Sequence, residues 1–557
     1  MAAYSTQNFW AITARIILRN RILILFAVLL FTVFMSMQWK NMRFSNTEAN
    51  LLPDHHPVNI AYQKFVSQFG EEGNIIAIAV KDSALFKLEN FRRWNKLSKQ
   101  FAAFPEVSSV LSTDNLKLLE KSNTEDKFVM APFKGSGALN QQTLDKALLS
   151  LYNNQPFYDQ LLFNKETGTL RMLVYMDKEL LNTSVRKDFV LKDLRKLIDD
   201  FERDTGLTAH VSGMPYIRTM NAQSIIDEIG IFILGALGVT SLIFFFFFRS
   251  LRATLISMLV VIIGVMWSFG VLGLLEYEIT VLTALIPPLI IVIGIPNCIF
   301  LINKYQQEVQ KHGNKALSLK RVISKIGNAT LMTNITTASG FATFIITEST
   351  LLKEFGIVAS INIIGIFILS LLIIPISYSF MPLPKDKHLR HLNKKWIDRF
   401  VGSMECIVRE QRIAVYIVSV LLLATSIIGI YQIKTSGSPI EDMPKDKPFF
   451  KDIRFFEQEF NAIMPIEIII DTKRPNGVLK PSNLKQMEAL SQYIEETPEL
   501  SKPISVVNLV KYSKQAYYNN IPKYYQLPTN QERGFILSTA QNSGSDESLL
   551  KNFTDST

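Results

Sequence analysis

The residues able to do chemistry are few, and they sit in apolar surroundings. Pro287, Pro288 and Pro296 fall inside one apolar run, and Asn297 directly follows the last of them. Proline removes a backbone donor and clashes one turn back, so a helix here is expected to break or kink. Carbonyls freed at membrane depth need partners or a water-lined cavity, and broken helices of this kind mark binding sites in transporters. A kinked packing helix with Asn297 bonded to a neighbour explains the same residues. In the next run Thr330, Thr333, Asn334 and Thr337 recur at i, i+3, i+4 and i+7, and Thr336, Ser339, Gly340 and Thr343 widen the polar arc. Leu331, Ile335, Ala338, Ala342 and Ile346 form the opposite side. That division predicts an arc turned into a helix bundle and an apolar side turned to lipid. Asn362 is a third polar residue in an apolar run. For all of these, interhelical packing competes with a polar pathway for substrate or ion. Asn297 is expected to face Thr333 or Asn334.

Asp54, His55 and His56 offer metal-ligand side chains, but no further cluster accompanies them. A turn between Pro53 and Pro57 fits them better. No P-loop, zinc helix, nucleophile elbow or dinucleotide fingerprint occurs. An ATP-driven pump or an enzyme is therefore not expected, and neither a metal nor a cofactor is called for.

The elements that must hold these residues are membrane spans. Of 557 residues, 48% are hydrophobic and 19% charged, against about 25% charged in a soluble domain. Yet 59 Lys+Arg and 49 Asp+Glu need water, which implies large aqueous parts. Apolar runs cover 22–39, 229–248, 254–275, 281–302, 330–347, 355–380 and 413–431, each near the length that crosses a ~30 Å hydrocarbon core. The first lacks a small-residue cleavage site and reads as an uncleaved anchor ending at Trp39. Lys and Arg crowd alternate short loops, after 248, after 302 and after 380, while Glu276, Glu278, Glu348 and Glu354 occupy the others. The N-terminus and the basic loops are thus expected in the cytoplasm. The net charge of +10 is a topology signal, and nucleic acid is not an expected partner. A lipid-headgroup role for 385–399 is compatible with it. Cys298 lies in an apolar run and Cys406 in a basic segment, so no disulfide is expected.

The expected layout is a cytoplasmic N-terminus (1–18), a first span (19–39), an extracytoplasmic α/β domain (40–227), a five-span block (228–381), a basic cytoplasmic linker (382–411), a seventh span (412–432) and a second, incomplete extracytoplasmic domain (433–557). In the first outer segment, strands are expected at 75–80, 107–111, 170–175 and 207–211, with helices at 88–101 and 190–201. The second outer segment repeats the first. Leu52-Pro53-Asp54-His55-His56-Pro57, then Phe65, Phe69 and Ile75-Ile76-Ala77-Ile78, corresponds to Met443-Pro444-Lys445-Asp446-Lys447-Pro448, then Phe456, Phe460 and Ile466-Glu467-Ile468-Ile469. A strand at 535–540 is expected to follow. Because the second copy has no counterpart of the five-span block, the chain reads as roughly the first two-thirds of a longer duplicated protein.

This order of parts resembles the resistance-nodulation-division (RND) superfamily, in its MMPL-type, hydrophobe/amphiphile exporter branch. The motifs that carry the resemblance are Leu51-Leu52-Pro53-Asp54-His55-His56-Pro57 with Phe69-Gly70, Ser212-Gly213-Met214-Pro215, the run from Thr333 to Phe341, and Lys353-Glu354-Phe355-Gly356. The block 228–381 also resembles the sterol-sensing domain. The resemblance implies an α-helical polytopic membrane protein with ferredoxin-like, porter-type outer domains. It further implies export of lipids or other hydrophobic and amphiphilic compounds from the inner membrane, commonly driven by protons. Membrane lipids and an amphiphilic small-molecule or lipid substrate are the implied partners; a homo-oligomer or a periplasmic partner stays open. In the family the fourth span carries acidic residues after a glycine. Here Gly294-Ile295 is followed by Pro296 and Asn297, neither of which titrates. Proton coupling through this half is thereby put in doubt, and a coupling carboxylate would have to lie in the counterpart span beyond Thr557. The alternative function is a non-transporting membrane receptor or scaffold that keeps the fold.

Overall fold

The computed structural model of the chain describes residues 2–44, 53, 55–70, 73–122, 125–133, 140–384, 395–433, 443–461, 466–474, 477–498 and 500–541. The start of the Leu51-Leu52-Pro53-Asp54 motif and the basic stretch 385–394 lie outside the described residues, apart from Pro53. The chain forms two compact units. One comprises Met1–Asp54 and Ala222–Glu441, the other His55–Asn221 and Asp442–Thr557. In chain order the principal helices are α1 (Ala2–Arg19), α2 (Arg21–Met37), α3 (Pro57–Phe69), α4 (Leu88–Ala102), α5 (Arg195–Thr205), α6 (Met214–Phe248), α7 (Leu251–Leu274), α8 (Ile286–His312), α9 (Lys315–Ala342), α10 (Thr350–Phe380), α11 (Arg412–Gln432) and α12 (Pro448–Phe460). One four-stranded sheet is built from β1 (Ile75–Val80), β2 (Val107–Leu111), β3 (Leu170–Met176) and β4 (His210–Ser212).

The first unit is helical. Among the described residues seven helices, α2 and α6 to α11, are long and apolar enough to cross a membrane. The most enclosed are α7, α8 and α10, each with half or more of its apolar stretch buried. Small residues set how closely they approach. A Cβ on Gly264 of α7 would stand 2.4 Å from Ile366 Cδ1 of α10. Helix α2 seats on α7 in the same way: a Cβ on Gly270 would stand 2.6 Å from Met35 Cβ, and one on Gly273 would meet the carbonyl oxygen of Gln38, just past the end of α2. The seam is fastened by Trp267 Nε1, which donates to Thr32 Oγ1 at 3.0 Å, and by Trp39 Nε1, which donates to the Met266 carbonyl at 3.2 Å. Residues 2–19 form a helix before the anchor, and its Trp10 ring lies against Gly327 of α9, where a Cβ would stand 2.5 Å away. By contrast α11 buries no residue.

The α8–α9 hairpin holds the residues singled out in the sequence. Pro287 and Pro288 occupy the first turn of α8, where their missing N–H groups would have had no helical partner. Gly313 ends α8 in the left-handed region at φ +61°, and its N–H donates to the Val309 carbonyl at 2.8 Å. Asn314 then caps α9, its Oδ1 accepting from Leu317 N at 3.1 Å. Two residues therefore reverse the chain. The expected interruption of the apolar run 281–302 falls at Leu285, ahead of Pro287 and Pro288, where Val281–Ala284 ends as a separate helical turn, while at Pro296 α8 continues without a break. One missing N–H costs a single bond of the ladder, and the packed bundle keeps the rest helical.

The second unit is α/β. Its sheet order is β2-β3-β1-β4, every neighbour antiparallel, with the path β1–α4–β2 and later β3–α5–β4. Both central strands are buried along almost their whole length, so both faces of the sheet are covered. Phe91, Trp94, Leu97 and Phe101 of α4 are buried, as are Ile198 and Phe201 of α5. A different cluster forms on Ala77, Ala79 and Leu173, and its other buried members are Phe456 and Phe460 of α12. The repeat is visible here. Helices α3 and α12 are both 13 residues long, both begin on proline, and carry phenylalanines in matching places. The second-segment helix thus completes the first segment's sheet. His56, one of the metal-ligand types, instead caps α3 by accepting from Val58 N at 3.3 Å.

Two expected strands are not strands. Residues 466–470, the counterpart of β1 in the repeat, are exposed and form no strand among the described residues, and an apolar run without a neighbouring strand has nothing to pair with. Residues 535–540 lie within the helix Asn530–Gln541. Its first turn is held by Glu532, which accepts from Thr529 N at 2.8 Å and from Lys514 Nζ at 2.8 Å. Periodicity alone does not separate a short apolar helix from a strand.

Glu459 locks α12 in place. Its carboxylate accepts from Lys81 Nζ at 2.6 Å, Thr167 Oγ1 at 2.5 Å and Thr169 Oγ1 at 2.6 Å. Burial alone would raise its pKa, but these hydrogen bonds and the Lys81 charge hold it below the ordinary value. A carboxyl lowered on folding adds stability above its unfolded pKa of about 4.3, and that stability is lost as pH falls through the folded value. Acid unfolding of the α/β unit should therefore begin at higher pH in Glu459→Gln, and its stability should change less between pH 5 and pH 3 than the parent's, as tryptophan fluorescence would report. In the helical unit, Gly273→Ala should lower stability by about 1–3 kcal/mol through overpacking against Gln38. Gly235→Ala, whose Cβ meets nothing within 4 Å, should leave the thermal unfolding curve unchanged.

Candidate functional site

Asn297 on α8 and Asn334 on α9 are 4% and 2% exposed. They form a reciprocal amide pair. Asn297 Nδ2 donates to Asn334 Oδ1 at 3.1 Å, and Asn334 Nδ2 donates back to Asn297 Oδ1 at 2.9 Å. Asn334 Nδ2 also donates to the Thr330 carbonyl at 2.7 Å. At a 1.5 Å rise per residue, Asn297 lies about 17 Å from one end of α8 and about 22 Å from the other, near mid-span. The pair joins the two helices across the two-residue turn at Gly313 and Asn314. An amide pair binds and orients by hydrogen bonds; it holds no charge and releases no proton.

The remaining sequence candidates do not join this pair. Thr333 is exposed and Thr337 half-buried. Their hydroxyls donate back to their own helix, to Ala329 O at 3.0 Å and Thr333 O at 2.9 Å. Asn362 is buried in α10, and its Nδ2 donates to the Val358 carbonyl at 2.8 Å. Pro296 sits inside α8 beside Asn297. The expected division of α9 is thus corrected. Its buried stripe is Gly327, Thr330, Asn334 and Ala338, while Thr333, Thr336, Ser339, Gly340 and Thr343 are exposed. A threonine that bonds to the carbonyl four residues back satisfies its own hydroxyl, so it can face outward without a partner helix.

One buried group escaped the sequence reading. Glu308, near the Gly313 end of α8, has a side chain only 1% exposed and is ringed by His312, Arg321 and Lys325. The signal was present as a lone acid in a basic stretch, across a Gly-Asn turn from Arg321 and Lys325. Read only as loop charges, those bases reported topology and nothing else. Between α9 and α10 an open cleft of about 490 Å³ is lined by Ile335, Ala338, Ser339, Ala342, Ser360, Ile361 and Ile364. Among the described residues no group of His, Cys, Asp and Glu is arranged to hold a metal ion.

Comparison with known proteins agrees with this architecture. A membrane protein of Methanocaldococcus jannaschii is 22% identical over 367 residues, which cover 63% of this chain and 89% of that relative. The apo-petrobactin exporter of Bacillus anthracis is 22% identical over 448 residues, which cover 75% of this chain and 56% of the exporter. The chain therefore spans little more than half of that exporter's length. The MMPL family model matches residues 50–382, a stretch that takes in the β1–β4 sheet, helices α6 to α10 and the amide pair. With more than half of its length matched, and with seven helices able to span a membrane, this multi-pass membrane protein belongs to the MMPL family.

Proposed function

We propose that the chain works in a secondary exporter of hydrophobic or amphiphilic compounds, lipids among them, in the inner (cytoplasmic) membrane. The observation that carries this reading is the Asn297–Asn334 pair, buried near mid-span between two helices of the family-matched block. Interhelical hydrogen bonds in a membrane are worth about 0.6 kcal/mol on average, so two leucines would pack here as well. Paired amides offer in addition donors and acceptors that a passing polar headgroup or water can take over. The exporter activity of the Bacillus anthracis relative supports the direction of transport. The β1–α4–β2, β3–α5–β4 path supports a ferredoxin-like, porter-type outer domain. The α/β unit then stands outside, and the N-terminus and basic loops stand in the cytoplasm.

The neutral pair also favours a second reading. A membrane receptor or scaffold that keeps the fold needs no titrating group at these positions. In the exporter reading, proton coupling rests on a carboxylate other than this pair, and the amides supply a polar wall.

Two measurements test these statements. In whole cells making the protein, Asn297→Leu leaves Asn334 without its interhelical partner, at about 1–3 kcal/mol, and should cut export about tenfold. Cys298→Ala should stay close to the parent, and collapse of the proton gradient should abolish export. Export that is absent from the parent favours the receptor; export that ignores Asn297→Leu removes the amide pair from the pathway, and export that ignores the gradient overturns proton coupling. For topology, Ser83→Cys should react with an impermeant thiol reagent in intact cells, while Lys311→Cys should react only after lysis. The reverse pattern would turn the orientation over.

A further inference from the structure

Glu308 is the one buried carboxylate of the helical unit among the described residues. Its Oε1 lies 3.3 Å from Lys325 Nζ, and its Oε2 lies 3.4 Å from Arg321 NH1 and 3.6 Å from His312 Nε2. Arg321 NH1 in turn donates to His312 Nε2, so the positive charges on Glu308 are those of Arg321 and Lys325. The acid belongs to α8 and two of its bases to α9, so the cluster ties the same helix pair that the amides join at mid-span. We propose that this cluster is a releasable ionic latch, which closes the Gly313 end of the α8–α9 pair and keeps water away from Asn297.

The placement of charge is unlike that of a structural ion pair. The hairpin is already held by its two-residue turn, and an apolar side chain at 308 would fill the same space without a buried charge. The acid is enclosed, but its partners are not: the Lys325 side chain is 56% exposed, Arg321 37% and His312 36%. Long basic side chains swing to water on their flexible stems. The latch can therefore open by moving the bases alone. In the turn of α8 that precedes Glu308, Tyr305 Oη and Gln306 Oε1 are buried with no hydrogen-bond partner among the described residues. Hydration would satisfy both, so an opposing term favours opening. Lys325 and Arg321 hold the end shut, and the unsatisfied groups of the preceding turn favour letting water in. Two states so balanced are what a gate requires.

The inference extends the reading of α8 and α9 as the pathway helices, but its readout needs no export. Cys298 adjoins Asn297 and is fully buried, while Cys406 is exposed. In a Cys406→Ser background Cys298 is the one cysteine in the chain and reports water at mid-span. The measurement is the rate at which 2-hydroxyethyl methanethiosulfonate labels Cys298 in the chain held in nanodiscs. Glu308→Gln removes the enclosed charge and leaves bases that can reach solvent, so the fold should persist, which a thermal unfolding profile checks. Labelling should then quicken at least about tenfold, as expected of a shifted closed–open population. Glu308→Asp, which keeps the charge, should show about a threefold rise at most. Lys325→Gln alters only a half-exposed base and should quicken labelling in the same direction, and it decides the matter if Glu308→Gln does not assemble. An unchanged rate in the assembled variants, or an equal rise with Asp and Gln at 308, overturns the latch. Loss of export with unchanged labelling speaks against the latch and leaves the exporter reading standing.

Discussion

Asn297 and Asn334 can be buried only because each supplies what the other lacks. A primary amide enclosed among apolar side chains has two donors and an acceptor to place, and in a membrane interior no water will take them. The reciprocal bonds at 3.1 and 2.9 Å meet that demand, and they do so at one relative position of α8 and α9. A slide of either helix by one residue would leave both amides unsatisfied. The pair therefore fixes register where the surrounding leucines, isoleucines and valines do not. The turn at Gly313 and Asn314 brings the helices side by side, the glycine seams of α7 set the packing distance, and the amides choose among the arrangements that remain.

In the α/β unit the same rule operates in water-soluble surroundings. A two-faced sheet whose central strands are buried needs a layer on each side. Helices α4 and α5 follow sheet strands in the chain, whereas α12 begins at Pro448, more than two hundred residues after the last sheet strand ends at Ser212. It brings Phe456 and Phe460 to the small residues Ala77 and Ala79, and it buries Glu459 against Lys81, Thr167 and Thr169. Arg171 lies 4.2 Å above the Phe460 ring, and His210 stacks on Phe455 while holding Asp452 at 2.8 Å. The second segment is therefore a structural part of the unit to which the first segment gives its strands.

Much of this was legible in the sequence because it depends on near-neighbour patterns. Run length gives a span, alternating Lys and Glu loops give an order, and Asn297 facing Asn334 follows from two polar residues in adjacent apolar runs. The four sheet strands were readable from their β-branched and aliphatic runs, since their partners happen to be other such runs. What escaped depends on partners that periodicity does not encode. The run 466–470 looks like β1 but has no strand beside it among the described residues. The run 535–540 takes helical form because Lys514 and Thr529 hold Glu532. Pro296 does not break α8, because the packing of a whole helix outweighs one missing bond. Thr333 and Thr336 suggested an inward arc, yet threonine supplies its own acceptor one turn back, so its polarity does not predict its direction. Glu308 was hidden by its neighbours: a stretch rich in Lys and Arg reads as a surface until the turn folds it over a single acid.

The distribution of charge in the helical unit carries a mechanistic consequence. At mid-span the polar groups are neutral amides, so that level can exchange hydrogen bonds with a solute but cannot store a proton. The buried charge sits some eleven residues along α8, about 16 Å away, near the Gly313 end. There the membrane gives way to the basic stretch that follows α8 and begins α9. An ion pair at that boundary has exposed bases and water within reach, so exchanging its partners is far less costly than it would be at the centre. The chain thus separates two tasks along one helix pair. In the proposed exporter and latch, hydrogen-bond exchange is placed where desolvation is strongest, and the charge that breaks and re-forms its contacts is placed where desolvation is weakest. A carboxylate at position 297 would have combined both tasks at the centre. With Asn297 there, the proposed polar wall exchanges hydrogen bonds at mid-span without changing its own charge.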